Sequence, residues 1–189
     1  MIDMRLYALC DQDMLDKKGM SVEDFIDIAK VHDAEIIQYR NKSADIAYIK
    51  KQLIKIRQMY KGFLIVNDAY ELADFCDGVH LGQEDLKVID SDIKKAVNKV
   101  RNIIKNDKLL GLSTHNEEEV IEANALNVNY IGLGAYKDTD TKNDIKAVLG
   151  DSLDTIASKS IHKVGAIGGV SLNDKFNNVT YNVIGSGLI

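Results

Sequence analysis

The chain has 189 residues, 46% of them hydrophobic and 28% charged, which suits one compact domain, spanning 1–189, with a sizeable core and excludes an intrinsically disordered chain. A formal net charge of −5 argues against nucleic acid as the main partner, since a phosphate backbone selects basic faces, but leaves room for a small phosphorylated ligand met by a few local cations. No stretch approaches the ~20 apolar residues of a membrane span, the opening MIDMRLYALC carries an acid and too short an apolar run for a signal peptide, and Cys10 and Cys76 form neither a metal spacing nor a disulfide framework, so a cytoplasmic protein with reduced thiols and no membrane partner is expected.

Short apolar runs alternate with amphipathic stretches along the whole chain. The runs are 5–10 (RLYALC), 35–40 (EIIQYR), 63–68 (FLIVND), 78–82 (GVHLG), 109–114 (LLGLST), 130–135 (YIGLGA), 163–169 (KVGAIGG) and 181–185 (YNVIG). Several are apolar at consecutive positions, as parallel strands covered on both faces are. Between them, Ser21 with Asp24 three residues on marks a helix start. Residues 45–60 are apolar at 46, 49, 53 and 56, and 91–104 at 93, 97, 100 and 104, a helical period. Residues 116–126 open on Glu117, Glu118 and Glu119, which suit a helix N-terminus. Residues 152–158 and 171–176 read as shorter helices. Eight strands alternating with helices predict a small (β/α)8 barrel. An open doubly wound sheet is the rival, but GLGAYK from Gly132 has Lys137 where a dinucleotide loop needs its third glycine. The segment after the eighth strand stops at Gly187-Leu188-Ile189, so the C-terminal end of the barrel reads as shortened.

In such a barrel the working residues lie at the C-terminal strand ends, where the polar side chains of this sequence cluster. Gln38, Arg40 and Lys42 fall at period two and share a face, with Ile37 and Tyr39 on the other. Two cations and an amide aimed into a barrel mouth would bind an anion; a pair of cations snorkelling from a strand end is the ordinary alternative. Strand three ends in Asn67-Asp68 and strand four in Gln83-Glu84-Asp85. One carboxylate from each neighbouring end, with substrate oxygens and water, is a magnesium arrangement, although Asp68 alone could cap a helix and Asp85 alone could sit in a turn. Ser113, Thr114 and His115 follow strand five, and a hydroxyl-rich loop with Lys137 and Lys142 follows strand six. Gly168 and Gly169 end strand seven, and Gly185, Ser186 and Gly187 end strand eight, where loops of this kind cradle phosphate.

These segments, in order and over nearly the whole chain, resemble thiamine phosphate synthase and the related thiazole tautomerase: QYRNK at 38–42, LIVND at 64–68, DGVHLGQEDL at 77–86, GLSTH at 111–115, GAYKDTDTK at 134–142, AIGG at 166–169 and IGSG at 184–187. The resemblance implies a (β/α)8 transferase that joins hydroxymethylpyrimidine diphosphate to a phosphorylated thiazole, releasing pyrophosphate, with Mg2+ bridging the diphosphate. It implies metal ligands Asp68 and Asp85, and pyrimidine-diphosphate contacts from Gln38, Arg40, Lys42 and Asn67. Ser113 falls near the reacting pyrimidine, Thr139, Thr141 and Lys142 in the loop that meets the thiazole phosphate and pyrophosphate, and Gly168 and Ser186 in the thiazole-phosphate cradle; Ser113, Lys142 and Arg40 are the catalytic set. The family loop carries two prolines and an aromatic where this chain has Ala135, Asp138 and Lys137. The alternatives are a tautomerase that uses His115 as its proton shuttle and a non-catalytic ligand-binding paralogue on the same barrel. Homo-oligomerisation is left open.

Overall fold

The computed structural model describes residues 4–138 and 148–189. Eight parallel strands close into a barrel in sequence order. They are β1 Arg5–Asp11, β2 Ile36–Arg40, β3 Phe63–Asn67, β4 Gly78–Leu81, β5 Leu109–Thr114, β6 Tyr130–Leu133, β7 Lys163–Ile167 and β8 Tyr181–Ile184. Strand β1 pairs with both β2 and β8, which closes the ring. The (β/α)8 expectation is met, and every strand lies close to its sequence-based bounds.

The helices are α1 Gln12–Lys18, α2 Val22–Val31, α3 Ile46–Met59, α4 Gln83–Ile89, α5 Ile93–Ile104, α6 Glu117–Ala123 and α7 Ser152–Ala157. Short polar side chains start most of them by accepting an otherwise unpaired backbone N–H. Ser21 accepts from the Asp24 N–H at 3.1 Å while Asp24 accepts from the Ser21 N–H at 2.9 Å, a reciprocal capping box before α2. Asp45, Asp92 and Asn116 do the same for α3, α5 and α6, at 2.7, 3.1 and 2.8 Å. Among the described residues no helix is long and apolar enough to cross a membrane.

Two local expectations need correction, and one helix was not expected. Residues 171–176 are not helical: the Asn182 side chain donates to the carbonyls of Ser171 (3.1 Å) and Asp174 (2.9 Å), which a helix would need for itself. Gln83, Glu84 and Asp85 are not an extension of strand four but the first turn of α4. Helix α1 has no counterpart in the sequence-based reading, because it follows β1 with no intervening loop. After β8 the described residues make one 3-10 turn, Ser186–Leu188.

Side chains divide by strand period into two cores. One face of the strands, including Ile37, Tyr39, Leu64, Val66, Val79 and Leu81, packs against the helices. The other face fills the barrel with Tyr7, Leu9, Ile36, Ile65, Tyr130, Tyr181 and Val183. Gly111 is part of that packing, since a Cβ there would lie 2.2 Å from the Tyr130 ring and 2.5 Å from His80. Its absence lets two large polar side chains occupy the barrel axis. The N-terminal end is closed by an Arg5–Glu35 ion pair at 3.1 Å, with the Tyr181 hydroxyl donating to Glu35 at 2.9 Å.

Candidate active site

A cavity of about 420 Å3 opens among the C-terminal strand ends. Gln38, Arg40, Asn67, Ser113, Gly168 and Ser186, all expected from sequence, line it. They come from five strand ends, so the barrel brings together residues up to 148 positions apart in the chain.

Charged groups stand at this end of the barrel; Arg40 and Asp11 line the cavity, and Lys42, Asp68 and Asp85 do not. Arg40 closes β2 and pairs with Asp11 at the end of β1, its register neighbour. Asp11 is 3% exposed and also accepts the Met14 N–H at 3.0 Å, so one carboxylate both starts α1 and holds the guanidinium. Lys42, just past β2, pairs with Asp68 and lies 3.7 Å from an Asp85 oxygen. Asp68 takes a left-handed backbone conformation, φ 62°, which Asp tolerates better than most residues, and its N–H donates to the His80 carbonyl at 3.0 Å. Asp85 sits in the first turn of α4 with a carboxylate oxygen 3.2 Å from the Gly82 N–H.

Burial pushes the Asp68 carboxyl above the usual carboxylate range and neighbouring Asp85 pushes it further, with the Lys42 ammonium pulling the other way. Two acids crowded on one ammonium, with one of them held back from ionising, is a donor set suited to a divalent cation. Magnesium characteristically takes one or two carboxylates and completes its octahedron from water and substrate phosphate. Among the described residues no third His, Cys, Asp or Glu joins them as a metal cluster.

The floor of the cavity is a chain of hydrogen-bonded polar groups. The Gln38 amide nitrogen donates to Asn67 Oδ1 at 2.7 Å, and Gln38 Oε1 accepts from the Tyr7 hydroxyl at 2.6 Å. The Tyr7 and Tyr130 hydroxyls are 3.0 Å apart. Tyr130 lies 3.2 Å from His80 Nδ1, and His80 Nε2 lies 3.0 Å from Ser113 Oγ. Gln83 donates to the Ser113 carbonyl at 3.0 Å and so ties the start of α4 to the end of β5.

The opposite wall is glycine-rich. Gly168 and Gly169 have φ of 86° and 67°. The Gly168 carbonyl accepts the Lys137 N–H at 2.9 Å, which fastens the segment after β6 to the end of β7. Lys137 reaches Asp174 at 3.0 Å. His115 lines the mouth, its Nδ1 and its backbone N–H both on Glu119 Oε2, at 2.9 and 2.8 Å. Thr139, Thr141 and Lys142 lie outside the described residues. Cys10 and Cys76 are buried free thiols, pushed up by burial, and neither lines the cavity.

Asp11, Tyr7 and Tyr130 escaped the sequence-based selection. The signal for Asp11 was present: Tyr7, Leu9 and Asp11 continue the same alternation as Gln38, Arg40 and Lys42, but only if β1 runs one residue beyond Cys10. Tyr7 and Tyr130 look like ordinary apolar strand residues, and only the closed ring shows their hydroxyls meeting on the axis.

The sequence profile described as thiamine monophosphate synthase matches residues 6–185. The chain belongs to that family. It is 37% identical over 175 residues to the thiamine-phosphate synthase of Persephonella marina, covering 90% of this chain and 78% of that one. A thiamine-phosphate synthase from Ruminiclostridium cellulolyticum is 35% identical with the same coverage. Among solved structures, a thiamine phosphate pyrophosphorylase from Pyrococcus furiosus superposes with a TM-score of 0.75 at 23% identity, over 97% of this chain and 86% of that one. An N-acetylmannosamine-6-phosphate 2-epimerase from Clostridium perfringens gives 0.60 at 13% identity, over 97% and 87%; both structures speak to the fold. The thiamine monophosphate synthase family membership makes this barrel an enzyme of thiamine biosynthesis, a transferase, with small molecules as substrates.

Proposed function

We propose that the protein couples hydroxymethylpyrimidine diphosphate to a thiazole phosphate, giving thiamine phosphate and pyrophosphate, with magnesium held by Asp68 and Asp85. The observation that carries this is the grouping of Lys42 with Asp68 and Asp85 two residues past Arg40, which lines a cavity that glycines also line. A diphosphate and a monophosphate, joined through two heterocycles, need both features.

In the reaction the bond between the pyrimidine methylene and the diphosphate oxygen breaks, the diphosphate leaves with the electron pair, and the thiazole nitrogen forms the new C–N bond with its own lone pair. Arg40 presents a fork to phosphate oxygens and Asp11 keeps it aimed. Lys42 moves from carboxylates to phosphate as the ligand enters. Magnesium bound at Asp68 and Asp85 would neutralise charge growing on the leaving group. Gln38, Asn67 and Ser113 orient the pyrimidine, and backbone N–H groups at Gly168 and Gly169 with the Ser186 hydroxyl suit the thiazole phosphate. For Thr139, Thr141 and Lys142 the contact with thiazole phosphate and pyrophosphate rests on the family resemblance. No protein nucleophile is needed, and positioning of two substrates supplies much of the acceleration.

Incubation of both substrates with magnesium should yield thiamine phosphate, and Asp85→Ala should abolish the magnesium-dependent turnover. Absence of product from wild-type protein that binds both substrates would overturn the proposal.

One observation favours a second activity. His115 Nδ1 rests on Glu119, which leaves Nε2 as a base at the cavity mouth, as a thiazole tautomerase requires. Isomerisation of the thiazole carboxylate that is lost in His115→Ala would support it, and no isomerisation by wild type would remove it.

A further inference from the structure

The polar chain under the cavity has a direction. Gln38 Oε1 can only accept, so the Tyr7 proton is committed to it. Tyr7 then has only lone pairs for Tyr130, and the Tyr130 proton is committed to Tyr7. Tyr130 in turn has only lone pairs for His80, so His80 Nδ1 carries the ring proton. In the neutral imidazole Nε2 is therefore an acceptor, and the proton of Ser113 Oγ is committed to it. At the other end, Asn67 Oδ1 is taken by Gln38, so the Asn67 amide nitrogen is the group left for a ligand. Burial holds both phenols well above their ordinary value, so each keeps its one proton. The reverse order would turn every bond round: His80 would carry its proton on Nε2, Ser113 would be a donor to the cavity and Asn67 an acceptor.

We propose that Tyr7, Tyr130 and His80 are positioning residues that fix this polarity, so that Ser113 accepts from the ligand and Asn67 donates to it, and the cavity selects a heterocycle bearing an exocyclic amine beside a ring nitrogen over its oxo counterpart. The proposal rests on the synthase reading for the identity of the heterocycle, and adds which edge of it is recognised and by what. An amine meets an acceptor and a ring nitrogen meets a donor. A ring carbonyl with its protonated nitrogen meets the wrong partner at both positions. None of the three residues needs to touch the ligand; they act through Gln38, Asn67 and Ser113.

The test has two arms that do not depend on turnover. Long-range proton–nitrogen NMR of the ligand-free protein at neutral pH, with the His80 signal assigned by its loss in His80→Gln, should show the Nδ1–H tautomer. An Nε2–H tautomer or a doubly protonated ring overturns the proposal. Calorimetric titration with hydroxymethylpyrimidine diphosphate and with its oxo analogue should show roughly 10- to 100-fold tighter binding of the amine, the scale of one mispaired buried polar group. In Tyr130→Phe that ratio should collapse toward one and the His80 tautomers should mix, while affinity for thiazole phosphate is retained. A merely structural tyrosine would weaken both ligands alike. Should Tyr130→Phe not fold, Tyr7→Phe breaks the same chain, and the wild-type spectrum decides the polarity without any variant. Equal affinity for the two pyrimidines, preference for the oxo form, or binding of neither overturns the proposal. The expected tautomer and binding preference without product formation would instead refute the coupling reading alone.

Discussion

Asp68→Asn is expected to make the protein more stable and inactive. Asp68 is held back from ionising by burial and by Asp85, with only partial relief from Lys42. The Lys42 pair is partly exposed, 45% and 26% for the two side chains, and such pairs contribute only about 0–1 kcal/mol. Asparagine keeps the shape, removes the unfavourable charge, and is at home in the left-handed conformation that Asp68 adopts at φ 62°. The gain should be about 0.5–2 kcal/mol, the usual scale for relieving a functional site of strain, or a rise in Tm of about 1–8 °C for a domain of this size. The sign follows from linkage. A carboxyl whose folded-state pKa lies above its unfolded value of about 3.9 contributes stability that is present below that value and lost as pH rises through the folded one. The advantage of the Asn variant should therefore be small in mild acid and grow toward neutral pH. Thermal melts of both proteins from pH 5 to pH 8, beside the magnesium-dependent coupling assay, read both effects. A variant that melts below wild type at neutral pH, or an increment that ignores pH, would show that Lys42 outweighs burial and Asp85 and that the acids are not frustrated.

Asp11→Ala should lose the α1 cap, about 1 kcal/mol, and strand the Arg40 guanidinium, which for a buried pair costs about 3–5 kcal/mol; Asp11→Asn restores the cap alone, so the difference between the two in urea unfolding isolates α1 from Arg40. Gly168→Ala places a Cβ 2.7 Å from that of Ala135 in a conformation with φ 86°, and the left-handed backbone alone costs about 1–2 kcal/mol; the KM for thiazole phosphate should rise more than kcat falls, and an unchanged KM would place that phosphate elsewhere. Inorganic pyrophosphate should bind roughly tenfold or more weakly without magnesium than with it, since the charged end sets two cations against three carboxylates; calorimetry giving equal affinity in excess chelator would show that Arg40 and Lys42 suffice.

The barrel was legible because parallel strands buried on both faces leave short continuous apolar runs, which stand out against helices of period 3.6. The charged end was legible because Gln38, Arg40 and Lys42 keep period two across the strand end. Two local motifs show where that legibility stops. Ser21 and Asp24 form a capping box and begin a helix; Ser171 and Asp174 form nearly the same contacts, Asp174 accepting the Ser171 N–H at 2.7 Å and its hydroxyl at 2.8 Å, yet no helix follows. The difference is supplied from eight or more residues away by Asn182, which takes the carbonyls, and from further still by Lys137, which holds Asp174. Helix α4 lacked a start signal because its N-cap, Gly82, has no side chain. No local pattern could reveal the meeting of Tyr7 with Tyr130, 123 residues apart.

The inner face of the barrel changes character from one end to the other. Near the N-terminal end Tyr181 and Glu35 meet Arg5, and aliphatic side chains such as Ile36 and Ile65 fill the space beside them. Between the two ends the side chains of Tyr7, Gln38, His80 and Tyr130 are joined by hydrogen bonds. At the C-terminal ends stand Asp11, Arg40, Asp68 and Asp85, all in ion pairs. Because strand side chains alternate, each step of two residues along β2 moves one layer, from Ile36 through Gln38 to Arg40. The middle layer is what permits this change of character. Charged groups laid directly on an aliphatic floor would lack partners below, and buried polar groups without partners are costly. A layer of hydrogen-bonded donors and acceptors, every proton committed in one direction, supports Asn67 beside the charged pairs and leaves a defined hydrogen-bonding edge for the ring that must lie between the two phosphate ends. The same tyrosines that plug the barrel therefore set the chemistry of its mouth.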